Sequence, residues 1–222
     1  MPFYNKEFPL SKKALIGFII VFIIPFVLAF GNIKTYIPFG CILLISGLLA
    51  IGIASKGNFK SICKKVHKSD IKLIVVLIIL EAIFSISVSM IELLAFGIHS
   101  NPNPVFGSSK SVLLYIELIF DLFGEELFKL IGIFLFTYIF YKISKNRKLS
   151  IILAAFITLS CFGLLHAPEY GNVFHALVSI GYASVFTVYA YIKTKNIFVS
   201  YLIHLIFDYV FIILGTVLAG LV

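Results

Sequence analysis

The sequence is short of charge. Only 13% of its 222 residues are Asp, Glu, Lys or Arg, against 61% hydrophobic residues, about half the charged share of an ordinary soluble domain. A chain so poor in charge cannot cover a water-exposed surface, but it can face lipid, where apolar side chains need no cover. Cysteine is scarce too: Cys41, Cys63 and Cys161 are an odd, scattered set with no CxxC pair, which excludes a disulfide framework. Cys41 and Cys161 fall inside apolar runs and read as packing residues. No strand-period alternation and no internal repeat stands out. No small-residue cleavage site follows Lys12 and Lys13, so a cleavable signal peptide is not expected. The net charge of +8 does not indicate nucleic acid, because the basic residues sit in short loops between apolar runs.

What the sequence has is long apolar stretches. A spanning helix needs about 20 mostly apolar residues, and seven stretches qualify approximately: Ala14–Phe30, Tyr36–Ala54, Leu73–Ile98, Val112–Tyr141, Ser150–Ala167, Val173–Ile192 and Ile197–Leu221. The expected fold is all-α, a polytopic transmembrane bundle of about seven spans forming a single membrane-embedded domain over residues 1–222. Pro25 predicts a kink in the first run, and Gly124 marks the expected point of a kink or break in the long fourth one. Fifteen of the eighteen Lys and Arg residues fall before the first run or after the second, fourth and sixth. Seven spans put all of these segments on one side, which the positive-inside rule makes the cytoplasm. The N-terminus is then inside and the C-terminus outside. Ser100–Ser109, with Pro102, Pro104 and Gly107, becomes an extracellular turn region.

Seven of the ten acidic residues lie inside apolar runs: Glu81, Glu92, Glu117, Asp121, Glu125, Glu126 and Asp208. An ionised carboxylate at mid-bilayer costs about 2.5–3.5 kcal/mol on insertion scales, so that many imply a polar interior: a site, a channel or a relay. Glu117, Asp121, Glu125 and Lys129 recur every four residues along one slowly drifting stripe. Glu125 and Glu126 stand about 100° apart around the helix, so one can face a reaction centre while the other braces the bundle. Glu81 and Glu92, about three turns apart, share a face and read most simply as interhelical hydrogen-bonding groups. His204 and Asp208 share a face at i and i+4, a spacing that can orient an imidazole, bind a metal or polarise a carbonyl. His166 ends the fifth run and His175 opens the sixth, where it has a minor claim to line a site. His67 and His99 read as solvent residues.

Taken together, Glu125-Glu126, then Phe162-Gly-Leu-Leu-His166, then His204-Leu-Ile-Phe-Asp208 resemble the three motifs EExxxR, FxxxH and HxxxN/D of the CPBP intramembrane proteases, the family of the CAAX prenyl proteases and the bacterial Abi proteins. The resemblance covers about residues 112–222, which it marks as the protease-like core. One position departs: the family's Arg falls on Leu130. Lys129, three residues after Glu126, can supply the pairing instead, although it lacks the planar fork of Arg. The resemblance implies that Glu125 is the base that activates water, helped by His166, that His204 and Asp208 steady the oxyanion, and that Glu126, Lys129 and Phe162 support them. Peptide hydrolysis needs such parts: an activated water, oxyanion stabilisation and an acid for the leaving amine.

Glu125, His166 and His204 would also make a plausible zinc set. With no HExxH in the sequence, and with glutamate-based catalysis implied by the CAAX-type resemblance, the expectation is no metal cofactor. The expected partners are the lipid bilayer of the cell membrane and a membrane-associated peptide or lipidated protein tail as substrate, with no nucleic acid. Two other functions compete. A catalytically degenerate scaffold, immunity or regulatory protein would use the same groove for binding. A proton-coupled transporter would fit the acidic stripe but not the paired histidine motifs. One geometric demand follows from helix rise: His166 lies about 24 Å, and His204 about 10 Å, from the cytoplasmic ends of their runs, so the helices must be offset for the two to meet.

Overall fold

The computed structural model describes residues 10–31, 33, 38–97 and 112–219, with side chains as far as 215. Residues 98–111, which hold His99, Lys110 and the Ser100–Ser109 turn region, and residues Lys6 and Lys34 lie outside the described set. Among the described residues every regular element is helical: α1 Lys12–Phe30, α2 Phe39–Ser55, α3 Lys68–Phe96, α4 Val112–Ser144, α5 Arg147–Tyr170, α6 Val173–Thr194 and α7 Ile197–Ala219. Each of the seven apolar runs overlaps one of these helices; residues 36–37, 98 and 220–221 of the second, third and seventh runs lie outside the described set. Five of them, α1, α3, α5, α6 and α7, are long and apolar enough to cross a membrane. Helix α2 is apolar but only 17 residues long, and α4, 33 residues, carries the motif charges.

Local chemistry sets the helix ends. The Ser11 side chain accepts from the Ala14 N–H to open α1. Asp70 accepts from the His67 N–H at 2.8 Å in a capping box that starts α3 five residues ahead of the apolar run. His67 is thus an exposed cap. Asn196 joins two loops on the basic side: its side chain accepts from Lys64 N–H at 3.0 Å, and the Ile197 N–H donates to the Ile62 carbonyl at 2.8 Å. The start of α7 is therefore pinned to the α2–α3 connection.

Helix α4 forms the centre of the bundle. It packs against α1, α2, α5 and α7, and residues 126–135 are buried without interruption. Phe18 and Phe22 of α1 and Phe162 of α5 meet Phe128 and Phe134 there; the Phe22 and Phe128 rings stack with centroids 4.8 Å apart. By contrast Ile16, Leu49, Leu94 and Ile143 are more than half exposed, a surface suited to acyl chains rather than water. Lipid supplies no hydrophobic drive between helices, so close backbone approach at small residues matters more.

Gly124 provides such an approach, and the break allowed for there is corrected: α4 runs through Gly124 as one helix. A Cβ at Gly124 would stand 2.4 Å from the Gly40 carbonyl oxygen, so the glycine lets α2 touch α4. Gly163 plays the same part between α5 and α6, where a Cβ would meet the Ala176 carbonyl at 2.6 Å. At that crossing α6 widens into a π-helical stretch, Ala176–Gly181, then tightens to a 3-10 turn, Tyr182–Ser184.

Candidate active site

Six helices, α2 to α7, contribute to a cavity of about 710 Å³ whose wall includes Glu81, Asp121, Glu125, Phe162, His166, Glu169, His175, Ser179, His204 and Asp208. Glu125 faces this space from α4. Its two oxygens point to two different imidazoles: Oε1 lies 3.8 Å from His166 Nε2 on α5, and Oε2 lies 3.7 Å from His204 Nε2 on α7. Asp208, one turn beyond His204, places Oδ2 3.8 Å from the same Nε2. The residues of the three sequence motifs therefore meet, and the offset that helix rise demanded of α5 and α7 is present.

Each separation exceeds direct hydrogen-bonding distance and suits a bridging water or a substrate atom bonded to both sides. The orientation of His166 is set locally. Its Nδ1 lies 2.9 Å from the Phe162 carbonyl oxygen; a carbonyl only accepts, so Nδ1 carries the proton and Nε2 is the nitrogen turned to Glu125. The FxxxH spacing produces this directly, because residues i and i+4 are neighbours on a helix. The Phe162 ring, 2% exposed, also packs edge-on against the imidazole at 4.7 Å.

Glu126 turns the other way, into protein. Lys129 Nζ lies 2.5 Å from its Oε1, with both side chains buried. Lys129 also donates toward Thr187 Oγ1 at 3.3 Å and Ser184 Oγ at 3.5 Å, and its ammonium sits 4.6 Å from the centre of the Phe162 ring. The Ser200 hydroxyl donates to Glu126 Oε2. Leu130, at the family's Arg position, is buried in the apolar core, so the cation of this brace stands one residue earlier. His204 connects the two halves: its Nδ1 lies 2.9 Å from Glu126 Oε1, off the ideal hydrogen-bond direction, while its Nε2 looks into the cavity.

Sequence reasoning missed several of these groups. Ser200 was findable, one helical turn before His204 on the same face. Ser184 and Thr187 give no local signal, because their role depends on how α6 crosses α4. Glu169 reaches the cavity from the last turn of α5. The drifting stripe divides: Asp121 and Glu125 reach the cavity, Glu117 is exposed and Lys129 is buried with Glu126. Glu92 makes the interhelical bond expected of it, with His175 Nδ1 at 2.7 Å and Ser179 Oγ at 3.3 Å. Glu81 makes no such bond: its Oε2 is buried without a hydrogen-bonding partner. Among the described residues no group of three or more His, Cys, Asp or Glu side chains has the arrangement of a metal site. The three residues named for zinc do meet, with Glu125 between His166 and His204.

Residues 107–210 match the family model described as type II CAAX prenyl endopeptidase Rce1-like, within the CPBP proteases that the three motifs resemble. The match takes in all of the motif residues and supports, at the level of the family, a membrane endopeptidase of the CAAX-protease type. No curated protein and no solved structure matches the chain.

Proposed function

We propose, from the premise that residues 107–210 are Rce1-like, that this chain is an intramembrane endopeptidase that cleaves a membrane-associated or lipidated peptide with a water activated by Glu125. One observation carries the reading: Glu125 lies between two imidazoles, 3.8 Å from His166 and 3.7 Å from His204, on the wall of a cavity formed by helices. The chain would sit as a single domain in the cell membrane, crossing it about seven times with its basic loops in the cytoplasm.

In this mechanism a water bridges Glu125 and His166. Glu125 takes its proton as the oxygen attacks the scissile carbonyl carbon, and His166, whose Nδ1–H is held by the Phe162 carbonyl, accepts a hydrogen bond from the same water at Nε2. The carbonyl oxygen becomes negative and needs a proton donor aimed at it. His204 provides one: its Nε2–H faces the cavity, with the Asp208 carboxylate 3.8 Å away to balance the charge of the ring. Collapse of the tetrahedral intermediate breaks the C–N bond, and the proton on Glu125 passes to the departing amine. Glu126, paired with Lys129, touches no substrate and fixes His204 from behind. Low dielectric around the cavity strengthens each of these interactions. No step calls on a metal.

A cleavage assay on the purified chain in liposomes, with membrane-tethered and prenylated peptides, tests the proposal. Wild type should cleave and Glu125→Gln should not. A non-catalytic scaffold or immunity protein would instead keep its biological effect in Glu125→Gln, and that result would replace this reading.

A further inference from the structure

Helix α3 carries two buried carboxylates eleven residues apart, about 16 Å along the helix, and their surroundings differ. Glu92 Oε2 is answered from α6 by His175 and Ser179; its Oε1 is buried without a partner, but Glu92 is not part of the cavity wall. Glu81, 3% exposed, lines the cavity with its Oε2 buried and unpartnered. A buried carboxylate with an unmade bond is costly, and nothing in the brace or the histidine pairs calls for Glu81. It also lies outside residues 107–210, the stretch that carries the family match.

The cavity around it sets five carboxylates against three imidazoles, those of His166, His175 and His204. Glu81, Asp121, Glu125, Glu169 and Asp208 all line it, and among the described residues no Lys or Arg does. Lys129, the nearest buried cation in sequence to this wall, is held behind it against Glu126. Asp121 Oδ1 is a second buried oxygen without a partner. A low-dielectric hollow with excess carboxylate and an orphaned acid is complementary to a positive group that arrives with the ligand.

We propose that Glu81 is the anchor of a subsite for a cationic side chain, Lys or Arg, of the peptide bound in this cavity. The inference rests on the protease reading for its substrate, and it narrows that substrate to a peptide with a basic residue inside an otherwise apolar stretch. Helix α3 packs along both α6 and α7, and Glu81 lies within electrostatic reach of His204 and Asp208. The ammonium or guanidinium donates a charge-assisted hydrogen bond to Glu81, and the apolar stem of the side chain lies along the cavity wall.

The test separates binding from turnover. Two fluorescent apolar peptides, capped at both ends and differing only in a central lysine or norleucine, are titrated against the full chain in detergent carrying Glu125→Gln. The lysine peptide should bind about ten-fold more tightly, as a charge-assisted bond in a dry site does. Adding Glu81→Gln should bring the ratio near one, whereas adding Glu92→Gln should leave it standing, because Glu92 does not line the cavity. Equal binding of the two peptides, or a preference that survives Glu81→Gln, would overturn the subsite. Wild-type cleavage of both peptides with equal binding would refute the subsite and keep the protease. Lysine-selective binding without any cleavage by wild type would do the reverse.

Discussion

Glu125 and Glu126 are adjacent in sequence and about 100° apart on α4, and that rotation gives them opposite surroundings. Glu126 is 3% exposed and ringed by close polar groups: Lys129 at 2.5 Å, the Ser200 hydroxyl, and His204 Nδ1 at 2.9 Å though off the hydrogen-bond direction. Glu125 touches nothing closely; its nearest polar neighbours are the imidazoles at 3.7 and 3.8 Å. A buried carboxylate that has closed contacts all round is structural, and its removal is felt in folding. One with ring nitrogens slightly beyond bonding reach keeps room for a reacting molecule. The pair shows how one helix can hold both kinds of acid in consecutive positions, with His204 facing both.

The comparison can be broken on the closed side first. Lys129→Met would leave Glu126 buried without its counter-ion, and loss of one partner of a buried pair costs about 3–5 kcal/mol. The expected result is a large drop in the unfolding midpoint in mixed detergent, partly restored in the double variant with Glu126→Gln. An unchanged midpoint would mean the pair does not brace the bundle. Gly124→Ala, directly before the two acids, pushes a methyl toward the Gly40 carbonyl. Overpacking of this kind costs about 1–3 kcal/mol, with turnover falling because Glu125 moves with the helix. Ser200→Ala removes a single hydrogen bond to Glu126 and should cost about 1 kcal/mol, read from the same unfolding curves. The smallest effect is expected from exhaustive chelation, which should leave turnover unchanged; loss of activity that returns with zinc would reassign Glu125, His166 and His204 as metal ligands.

Much of this arrangement was legible because lipid-facing helices announce themselves. Their outer faces carry Ile, Leu and Phe over whole spans, so the seven apolar runs coincide with seven helices. The ends were less legible, since polar residues extend a helix beyond its apolar stretch: the His67–Asp70 cap carries α3 back to Lys68, and α5 continues through Pro168 to Tyr170. Reporter fusions or labelling should place residues 55–72 and 142–149 in the cytoplasm and the C-terminus outside; a cytoplasmic C-terminus would contradict seven spans. Gly124 shows a limit of local reasoning. In isolation a mid-helix glycine suggests a break; opposite Gly40 it is a contact. At the site, i to i+4 spacing was enough to place His204 beside Asp208 and His166 on the Phe162 carbonyl. The contacts of Lys129 with Ser184 and Thr187, and the contrast between Glu81 and Glu92, arise from the register of helices distant in sequence. No spacing rule reaches them.

The central claim is that Glu125 acts and Glu126 holds, so the most direct test measures both properties in both variants. Glu125→Gln and Glu126→Gln are nearly isosteric, and each is purified beside wild type for folded yield, unfolding midpoint and peptide turnover. Glu125→Gln should keep the wild-type midpoint and lose about 10²–10⁴ in rate, as removal of a general base does. Glu126→Gln should lower yield and midpoint while the molecules that fold retain measurable turnover. Full activity in folded Glu125→Gln, or equal damage to stability in both variants, would contradict the account.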